Sequence, residues 1–439
     1  MSSYVRKKTP GNTEWFVHDR FGMFIHFGLY AAPARHEWIK HRECISDVDY
    51  QKYFDHFNPD LFDAKEWARA AKQAGMKYAV LTTKHHEGFC LFDSKYTDYK
   101  ITNTAFGRDL VKEYVEAFRA EGLKVGFYYS LIDWHHPEFP IDVLHPQRFD
   151  PEATKINQSR DMKKYAQYMR DQVTEILTNY GKIDILWFDY SYSGATSSKC
   201  PGLRGKGKDD WESEKLIALA RSINPEIIID NRAEIEQDIS TPEQFQMDVW
   251  PRDKETGEYL VWEACQTFSG SWGYYRDEQT WKSHKMLVEM LVKTVSLGGN
   301  LLMNVGPCAR GYFDSRATSA LDAFGKWMKY NSRSIYGCTM AEPEFEAPKG
   351  TLLTQSEDGK RLYIHLLSYP FNNLAMKNMA HKMKYVQFLH DASEIRYQVG
   401  KPNSMMGFVN VEFDENTVFF NLPVVKPDQE VPVIEIFLK

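Results

Sequence analysis

The chain has 439 residues, of which 43% are hydrophobic and 26% are charged, and these values are ordinary for a globular protein. This length suggests two domains rather than one compact core. The net charge of −6 gives no reason to expect a nucleic-acid or membrane partner, and no apolar run in the sequence is long enough to span a bilayer.

Strands and helices alternate along the chain from residue 21 to residue 330. The predicted strands are residues 21–28, 78–83, 125–130, 182–190, 227–231, 260–264 and 300–305. The predicted helices are residues 63–74, 108–121, 159–179, 211–222, 281–297 and 315–330. This order predicts a parallel sheet, and polar clusters directly after several strands predict an α/β fold of the (β/α)8-like TIM barrel type.

The strand at residues 182–190, KIDILWFDY, is apolar on both faces and ends on a carboxylate, Asp189. Such a strand is typical of a parallel sheet that is covered on both sides. In α/β barrels the C-terminal ends of the strands carry the catalytic groups, which favours a catalytic Asp189. The alternative is a structural carboxylate that caps the next loop or pairs with an arginine.

The segment that follows, residues 191–210, is rich in serine, glycine and lysine. It could form a lid, a specificity loop, an intersubunit contact or a plain mobile loop. Its GKGK sequence lacks the spacing of a phosphate-binding loop.

Beyond about residue 337 the pattern changes, because strand-length segments follow one another without a helical pattern between them. These segments are residues 361–367, 384–389, 408–413, 417–422 and 431–437. The pattern predicts a small antiparallel β-sandwich. We therefore expect a catalytic barrel at residues 1–336 and a C-terminal β-sandwich domain at residues 337–439.

Cysteine spacing and the N-terminal segment bear on the compartment of the protein. The six cysteines include no CxxC pair, so we expect buried thiols in a reducing compartment rather than a zinc or redox motif. The first residues, MSSYVRKKTPGN, lack the apolar core of a signal peptide, which predicts a cytoplasmic protein. The aromatic content of 14% and the segment after Asp189 offer contact surface for a homo-oligomer.

The polar clusters fit metal chemistry and acyl transfer poorly. His26 lies between Ile25 and Phe27 instead of in a paired metal motif, HExxH is absent, and vicinal histidines such as His85 and His86 point oppositely on a strand. No GxSxG motif is present for a serine nucleophile. We therefore expect neither a metal nor another cofactor.

Glycoside hydrolysis fits better, since it needs two carboxyl groups beside an aromatic-rich sugar pocket. Neutral histidines can bind sugar hydroxyls, a tryptophan face can stack on the ring, and Arg232 can hold a nucleophilic carboxylate ionised. The candidate residues are His26, Glu37, Trp38, His85, His86, Trp134, Asp189, Arg232, Glu243 and Glu263.

A set of motifs, in order along residues 15–336, resembles the family 29 glycoside hydrolases, the α-L-fucosidases. The motifs are MFIHFGLY, HEW, TTKHHEGFCLFDS, VGFYYSLIDWHHP, ILWFDY, DNR and WEACQTFSGSWGY. The resemblance implies a retaining exo-hydrolase that removes α-linked L-fucose from a fucosylated oligosaccharide or glycoside. The alternatives are an exo-glycosidase for another fucose-like or galacto-configured sugar, and a non-catalytic sugar-binding protein.

The resemblance also implies roles for single residues. Asp189 matches the family nucleophile. The positions that match the fucose pocket are His26, Glu37, Trp38, His85, His86, Tyr128, Trp187 and Arg232, and Trp134 is added from its place after the third strand. For the acid/base we favour Glu243, in STPEQ, over Glu263, in VWEAC, while Asp238 and Asp248 stay open.

Overall fold

The computed structural model describes residues 3–400 and 414–439, and its largest sheet has seven strands. They follow the order β5-β4-β3-β2-β1-β7-β6, and every neighbouring pair is parallel. The strands are β1 (Phe21–Ile25), β2 (Tyr78–Lys84), β3 (Lys124–Ser130), β4 (Ile185–Asp189), β5 (Ile228–Ile229), β6 (Glu263–Thr267) and β7 (Asn300–Val305). All residues of β1, β2, β4, β6 and β7 are buried, as expected for a sheet that is covered on both faces.

The gap between β5 and β6 is filled by residues 239–243, which we call the closing segment. It pairs with Asp230, the residue after β5, through a parallel bridge at Ile239, and with the other side through Ser240–Trp262 and Glu243–Cys265. This segment takes the place of an eighth strand, so the predicted (β/α)8-like barrel is confirmed in an irregular form.

Helices cover the outside of the barrel. They are α1 (Glu14–Asp19), α2 (Ile39–Arg42), α3 (Asp47–Asp55), α4 (Ala64–Gln73), α5 (Leu110–Ala120), α6 (Ala153–Ile156), α7 (Met162–Thr178), α8 (Lys208–Trp211), α9 (Ser213–Ile223), α10 (His284–Ser296) and α11 (Ser315–Asn331). The side chain of Asp63 accepts hydrogen bonds from the first backbone N–H groups of α4, which explains why this helix begins there. Within residues 3–400 and 414–439, no helix combines the length and the apolar character needed to cross a bilayer.

The C-terminal part consists of antiparallel strands, as the sequence predicts. A five-stranded sheet has the order β12-β15-β10-β9-β8 and a three-stranded sheet the order β11-β14-β13. The strands are β8 (Cys338–Met340), β9 (Thr351–Ser356), β10 (Arg361–Leu366), β11 (Asn373–Met376), β12 (Met383–Phe388), β13 (Tyr397–Val399), β14 (Val418–Asn421) and β15 (Val433–Leu438). Both sheets contribute to one apolar core, which confirms the β-sandwich. The strand predicted at residues 408–413 lies outside the described residues.

Candidate active site

Parallel strands place their C-terminal ends at one edge, and a pocket opens at this end of the barrel. Nine predicted site residues line it, together with four that the sequence reasoning missed. The lining residues are Phe24, His26, Trp38, His85, His86, Tyr128, Trp187, Asp189, Tyr190, Arg232, Glu243, Cys265 and Trp272.

Asp189 is the last residue of β4 and is 8% exposed. Its Oδ1 accepts a hydrogen bond from Arg232 Nη1 at 2.9 Å, and its Oδ2 accepts one from the Tyr128 hydroxyl at 2.8 Å. Burial raises the pKa of the Asp189 carboxyl above its usual range, while Arg232 and Tyr128 act in the opposite direction. The site therefore offers a partly desolvated carboxylate that has donors on both oxygens.

Glu243 shares the same guanidinium group. Arg232 Nη1 donates to Glu243 Oε2 at 2.6 Å and to Asp189 Oδ1 at 2.9 Å, so these oxygens lie within 5.5 Å of each other, the sum of the two lengths. Carboxyl groups about 5–5.5 Å apart are typical of retaining glycosidases, whereas inverting enzymes need about 6.5–9.5 Å. Glu243 is also exposed, as a group that exchanges protons with a leaving group and with water must be.

Glu263, the alternative acid/base, has a different environment. It is the first residue of β6 and is fully buried, and it is not among the residues that line the pocket. Its carboxylate accepts a hydrogen bond of 2.5 Å from the Tyr78 hydroxyl and one of 3.3 Å from Trp187 Nε1. Glu263 thus contacts the Trp187 indole from a position two residues nearer the N-terminal end of β6 than Cys265, which lines the pocket.

The two other candidate carboxylates are held by structural contacts. Asp238 accepts hydrogen bonds from the backbone N–H groups of Gly11 and Ile229 and pairs with Arg221. Asp248 pairs with Lys293 at 2.8 Å. Neither residue lines the pocket.

Three histidines form one side of the pocket. His85 and His86 come after the end of β2 at Lys84, so they do not alternate as strand residues, and their ring centroids are only 4.0 Å apart. Burial lowers the pKa of His26 to about 3 and holds those of His85 and His86 well below their usual range. The histidines are therefore neutral and can both donate to and accept from sugar hydroxyls.

Two predicted binding residues lie behind the lining. Glu37 accepts hydrogen bonds from the backbone N–H groups of Trp272 and Gly273 at 3.1 and 2.9 Å, and it thereby fixes the loop that carries Trp272. Trp134 is 1% exposed and packs edge-on against Trp38, with ring centroids 5.2 Å apart. Both residues hold lining residues in place, and the second oxygen of Glu37, Oε1, is buried without a hydrogen-bond partner among the described residues.

Three of the four residues that the sequence did not predict had weak signals, and Tyr190 had none. Phe24 lies two positions before the predicted His26, and Cys265 lies two positions after the predicted Glu263. This spacing places both members of each pair on one face of a strand. Trp272 belongs to the FSGSWGY motif. Tyr190 directly follows Asp189, and nothing in the local sequence predicts its orientation.

A metal ion has no evident place in this arrangement. Among residues 3–400 and 414–439, no three His, Cys, Asp or Glu side chains are grouped so that they could hold one. The pocket lining itself presents two carboxylates, an arginine and three neutral histidines.

Comparison with known proteins gives a consistent picture. A family model described as alpha-L-fucosidase matches residues 3–333. The plasma alpha-L-fucosidase of Pongo abelii is 30% identical over 351 residues, which cover 73% of this chain and 69% of that protein. The alpha-L-fucosidase of Dictyostelium discoideum is 28% identical over 364 residues, which cover 74% of this chain and 71% of that protein.

Two solved structures are similar over nearly the whole chain. The alpha-L-fucosidase isoenzyme 1 from Paenibacillus thiaminolyticus has a TM-score of 0.87 and 43% identity, and the match covers 97% of this chain and 98% of that one. A family 29 alpha-L-fucosidase from Bacteroides thetaiotaomicron, solved as a trapped covalent intermediate with 2-fluoro-fucosyl fluoride, has a TM-score of 0.80 and 27% identity. That match covers 100% of this chain and 98% of the other.

Proposed function

The chain belongs to the α-L-fucosidase family, glycoside hydrolase family 29, and is a retaining, exo-acting α-L-fucosidase; we propose that Asp189 is its nucleophile and Glu243 its general acid and base. The observation that carries this proposal is the guanidinium group of Arg232, which binds both carboxylates through one nitrogen. The shared nitrogen limits the distance between the two bound oxygens to at most 5.5 Å, which supports a pair that acts by double displacement.

In the first step, Asp189 attacks the anomeric carbon of a terminal α-linked L-fucose. The bond from that carbon to the glycosidic oxygen breaks, and Glu243 gives its proton to the leaving oxygen. Arg232 and Tyr128 favour the ionised form of Asp189, which is the form that attacks.

In the second step, water attacks the anomeric carbon of the fucosyl ester, and the carbon–oxygen bond to Asp189 breaks. Glu243, now ionised, takes the proton of the water. The negative charge beside Arg232 has by then passed from Asp189, which is held as an ester, to Glu243, which has given up its proton, so the guanidinium group faces one carboxylate before and after the first step.

The rest of the pocket suits a small, neutral sugar. The neutral rings of His26, His85 and His86 can bind hydroxyl groups, and the aromatic faces of Trp187 and Trp272 can pack on the apolar side of the fucose ring. The reaction as written needs no cofactor, and the substrate we propose is a fucosylated oligosaccharide or glycoside.

The domain limits at residues 1–336 and 337–439 are part of the proposal. In their favour, most buried apolar residues after residue 337 form a cluster of their own. The barrel cluster extends onto the β-sandwich at Tyr363, Leu389 and Val431, and Trp327 Nε1 of α11 donates to the Val431 carbonyl at 2.8 Å. The cytoplasmic location and the homo-oligomeric state stay predictions. Light scattering of the purified protein tests the second of them.

The nucleophile is tested by trapping with 2-fluoro-fucosyl fluoride, followed by digestion and mass spectrometry. We expect the label on Asp189 and no label in the Asp189→Ala variant, whose hydrolysis of an aryl α-L-fucoside should also be lost. A label on another carboxylate would refute the assignment. Aryl galactosides serve as controls for the sugar specificity.

The acid/base is tested by azide rescue of Glu243→Ala and Glu263→Ala on an activated aryl fucoside. Azide needs no general base, so it should restore turnover only where the missing residue is the acid/base. We expect rescue of Glu243→Ala with a fucosyl azide product. Rescue of Glu263→Ala alone would reverse the assignment.

A further inference from the structure

Tyr190 directly follows the proposed nucleophile and lies at the mouth of the pocket. The residues at the base, such as Tyr128 and Trp187, are at most 1% exposed, whereas Tyr190 is only half-buried. Its ring centroid lies 5.0 Å from that of Trp38 and 5.2 Å from that of His86. Tyr190 and Trp38 thus form a continuous aromatic wall that begins inside the pocket and reaches solvent.

The backbone at Tyr190 has a φ of 80°, in the left-handed region. A bulky residue rarely adopts this conformation, because its Cβ crowds the neighbouring carbonyl group. Such strain persists only where the surrounding structure enforces it, and it is concentrated at functional sites. The conformation turns the chain sharply at the end of β4 and directs the ring toward Trp38.

The residues after Tyr190 provide that enforcement. Ser191 Oγ donates to the Arg232 carbonyl at 2.7 Å and accepts from Trp211 Nε1 at 3.0 Å. The Tyr192 hydroxyl donates to Asp142 Oδ2 at 2.5 Å. With the next two side chains fixed, the turn at Tyr190 cannot relax.

The segment beyond is anchored too. Lys206 Nζ pairs with Asp142 Oδ2 at 2.5 Å, and both side chains are almost fully buried. Cys200 and Leu203 join a small apolar cluster with Ile141 and Val143. Buried anchors at Cys200, Leu203 and Lys206 therefore hold this otherwise half-exposed segment beside the pocket, which favours the specificity loop among the alternatives for it.

We propose that Tyr190 is a specificity-determining residue, whose ring forms with Trp38 an apolar wall for the leaving group of the fucoside. This inference rests on the proposed function of the pocket. The buried base encloses the fucose, so a half-exposed ring at the mouth meets what extends beyond that sugar. An aromatic face packs well on an aryl group or on the apolar face of a second sugar ring.

The test compares kcat/KM for three substrates that share fucose and differ in the leaving group: fucosyl fluoride, an aryl α-L-fucoside and a fucosylated disaccharide. Tyr190→Gly removes the ring and tolerates a positive φ, so it removes the strain as well. We expect its kcat/KM to fall about tenfold more for the aryl fucoside and the disaccharide than for the fluoride. A factor of this size corresponds to the loss of one aromatic stacking contact. Tyr190→Phe keeps the ring and should retain the wild-type ratios.

Tyr190→Asn is a second variant, because asparagine also tolerates the left-handed region. Equal losses for all three substrates in the folded variants would place Tyr190 at the fucose ring and overturn the inference, and so would kcat/KM values that do not change at all. A wild-type protein that does not hydrolyse fucosyl fluoride would instead refute the proposed function, so the two failures are distinct.

Discussion

The hydroxyl of Tyr128 donates a hydrogen bond of 2.8 Å to Oδ2 of Asp189, from the strand next to the one that carries the proposed nucleophile. Tyr128 lies opposite Trp187 in the register of β3 and β4, two positions before Asp189. It therefore faces the same side of the sheet as Asp189 and contacts the carboxylate from a position nearer the N-terminal end of the strands.

We expect Tyr128→Phe to lower kcat/KM about tenfold or more, because a hydrogen bond to a charged group contributes about 1.5–3 kcal/mol. Burial raises the pKa of Asp189 and this bond opposes that effect, so its loss raises the pKa further. The acidic limb of the kcat/KM profile should then move to higher pH. The measurement is that profile with an aryl α-L-fucoside.

Tyr129→Phe is the matched control, since the Tyr129 hydroxyl faces the other side of the strand and contacts Gln172 and Lys84. Its acidic limb should coincide with that of the wild type. An unchanged limb in Tyr128→Phe would contradict the role of the bond.

Glu263 should act through Trp187 rather than on the substrate. Burial raises the pKa of Glu263 to about 7, despite the hydrogen bonds from Tyr78 and Trp187. Glu263→Gln keeps an acceptor for the Trp187 N–H and should retain most of the activity. Glu263→Ala leaves that N–H buried without a partner, at a cost of about 1–3 kcal/mol in unfolding free energy.

The measurement for this prediction is the dependence of kcat/KM on the leaving group. Loss of a general acid harms substrates with poor leaving groups most. We expect that steep dependence for Glu243→Ala and one constant factor for Glu263→Ala. A steep dependence in Glu263→Ala would show that it protonates the leaving group.

The buried ion pair of Asp133 with Lys84, the residue before His85, should contribute strongly to stability. Lys84 Nζ lies 3.3 Å from Asp133 Oδ2, and both side chains are at most 2% exposed. Lys84→Met leaves the Asp133 carboxylate buried and unpaired, so we expect a loss of about 3–5 kcal/mol in unfolding free energy by urea titration. Lys72→Met, which breaks an exposed pair with Glu121, should cost at most about 1 kcal/mol.

The partner of Lys84 also titrates. Burial alone would raise the pKa of Asp133, but Lys84 and two neighbouring histidines hold this pKa below its usual range. The pair stabilises the fold fully at pH values above about 3.9, the pKa of an unfolded aspartate. This stabilisation is lost as the pH falls through the lower pKa of Asp133 in the folded protein.

The double variant Lys84→Met/Asp133→Asn no longer buries an unpaired charge, so it should be more stable than Lys84→Met alone. Equal stabilities would argue against the pairing.

Buried His26 should make the fold sensitive to acid. Burial lowers its pKa to about 3, against about 6.5 in an unfolded chain, so its contribution to stability is lost as the pH falls below about 6.5. Burial also raises the pKa of Glu37, Glu87 and Glu263 to about 7, so these three carboxyl groups increase the unfolding free energy as the pH falls. The effect of His26 must therefore be measured as a difference between the wild type and a variant.

The measurement is the difference in unfolding free energy between wild type and His26→Gln. From pH 7 to pH 5 the unfolding free energy of the wild type should fall by about 2 kcal/mol relative to that of His26→Gln. A difference that stays the same between pH 7 and pH 5 would mean that burial does not lower the pKa of His26.

Much of the barrel could be predicted from local pattern. Six helices and most strands follow from apolar periodicity and from caps such as Asp63, and Asp189 stands out because an apolar strand ends on it. The clustering of His26, His85, Tyr128 and Asp189 then follows from parallel pairing alone, since all parallel strands end at the same edge.

Contacts between distant segments could not be predicted. The sequence places Glu263 at the end of a strand at residues 260–264, but β6 begins at Glu263, because register with β7 decides where pairing starts. The anchoring of residues 191–206 depends on Asp142, which is more than 50 residues away from Lys206. No local propensity encodes such a pair.

The closing segment gives Glu243 a kind of freedom that Asp189 lacks. Asp189 is bound to a continuous ladder with β3, whereas Glu243 is held by one bridge to Cys265 and by backbone bonds around it. Moving a strand by one residue turns every side chain over, but a shift of two residues in a short segment keeps the same face. A two-residue shift of the closing segment would therefore leave its side chains facing the same side while moving Glu243 along the barrel, whereas the ladder with β3 fixes the position of Asp189.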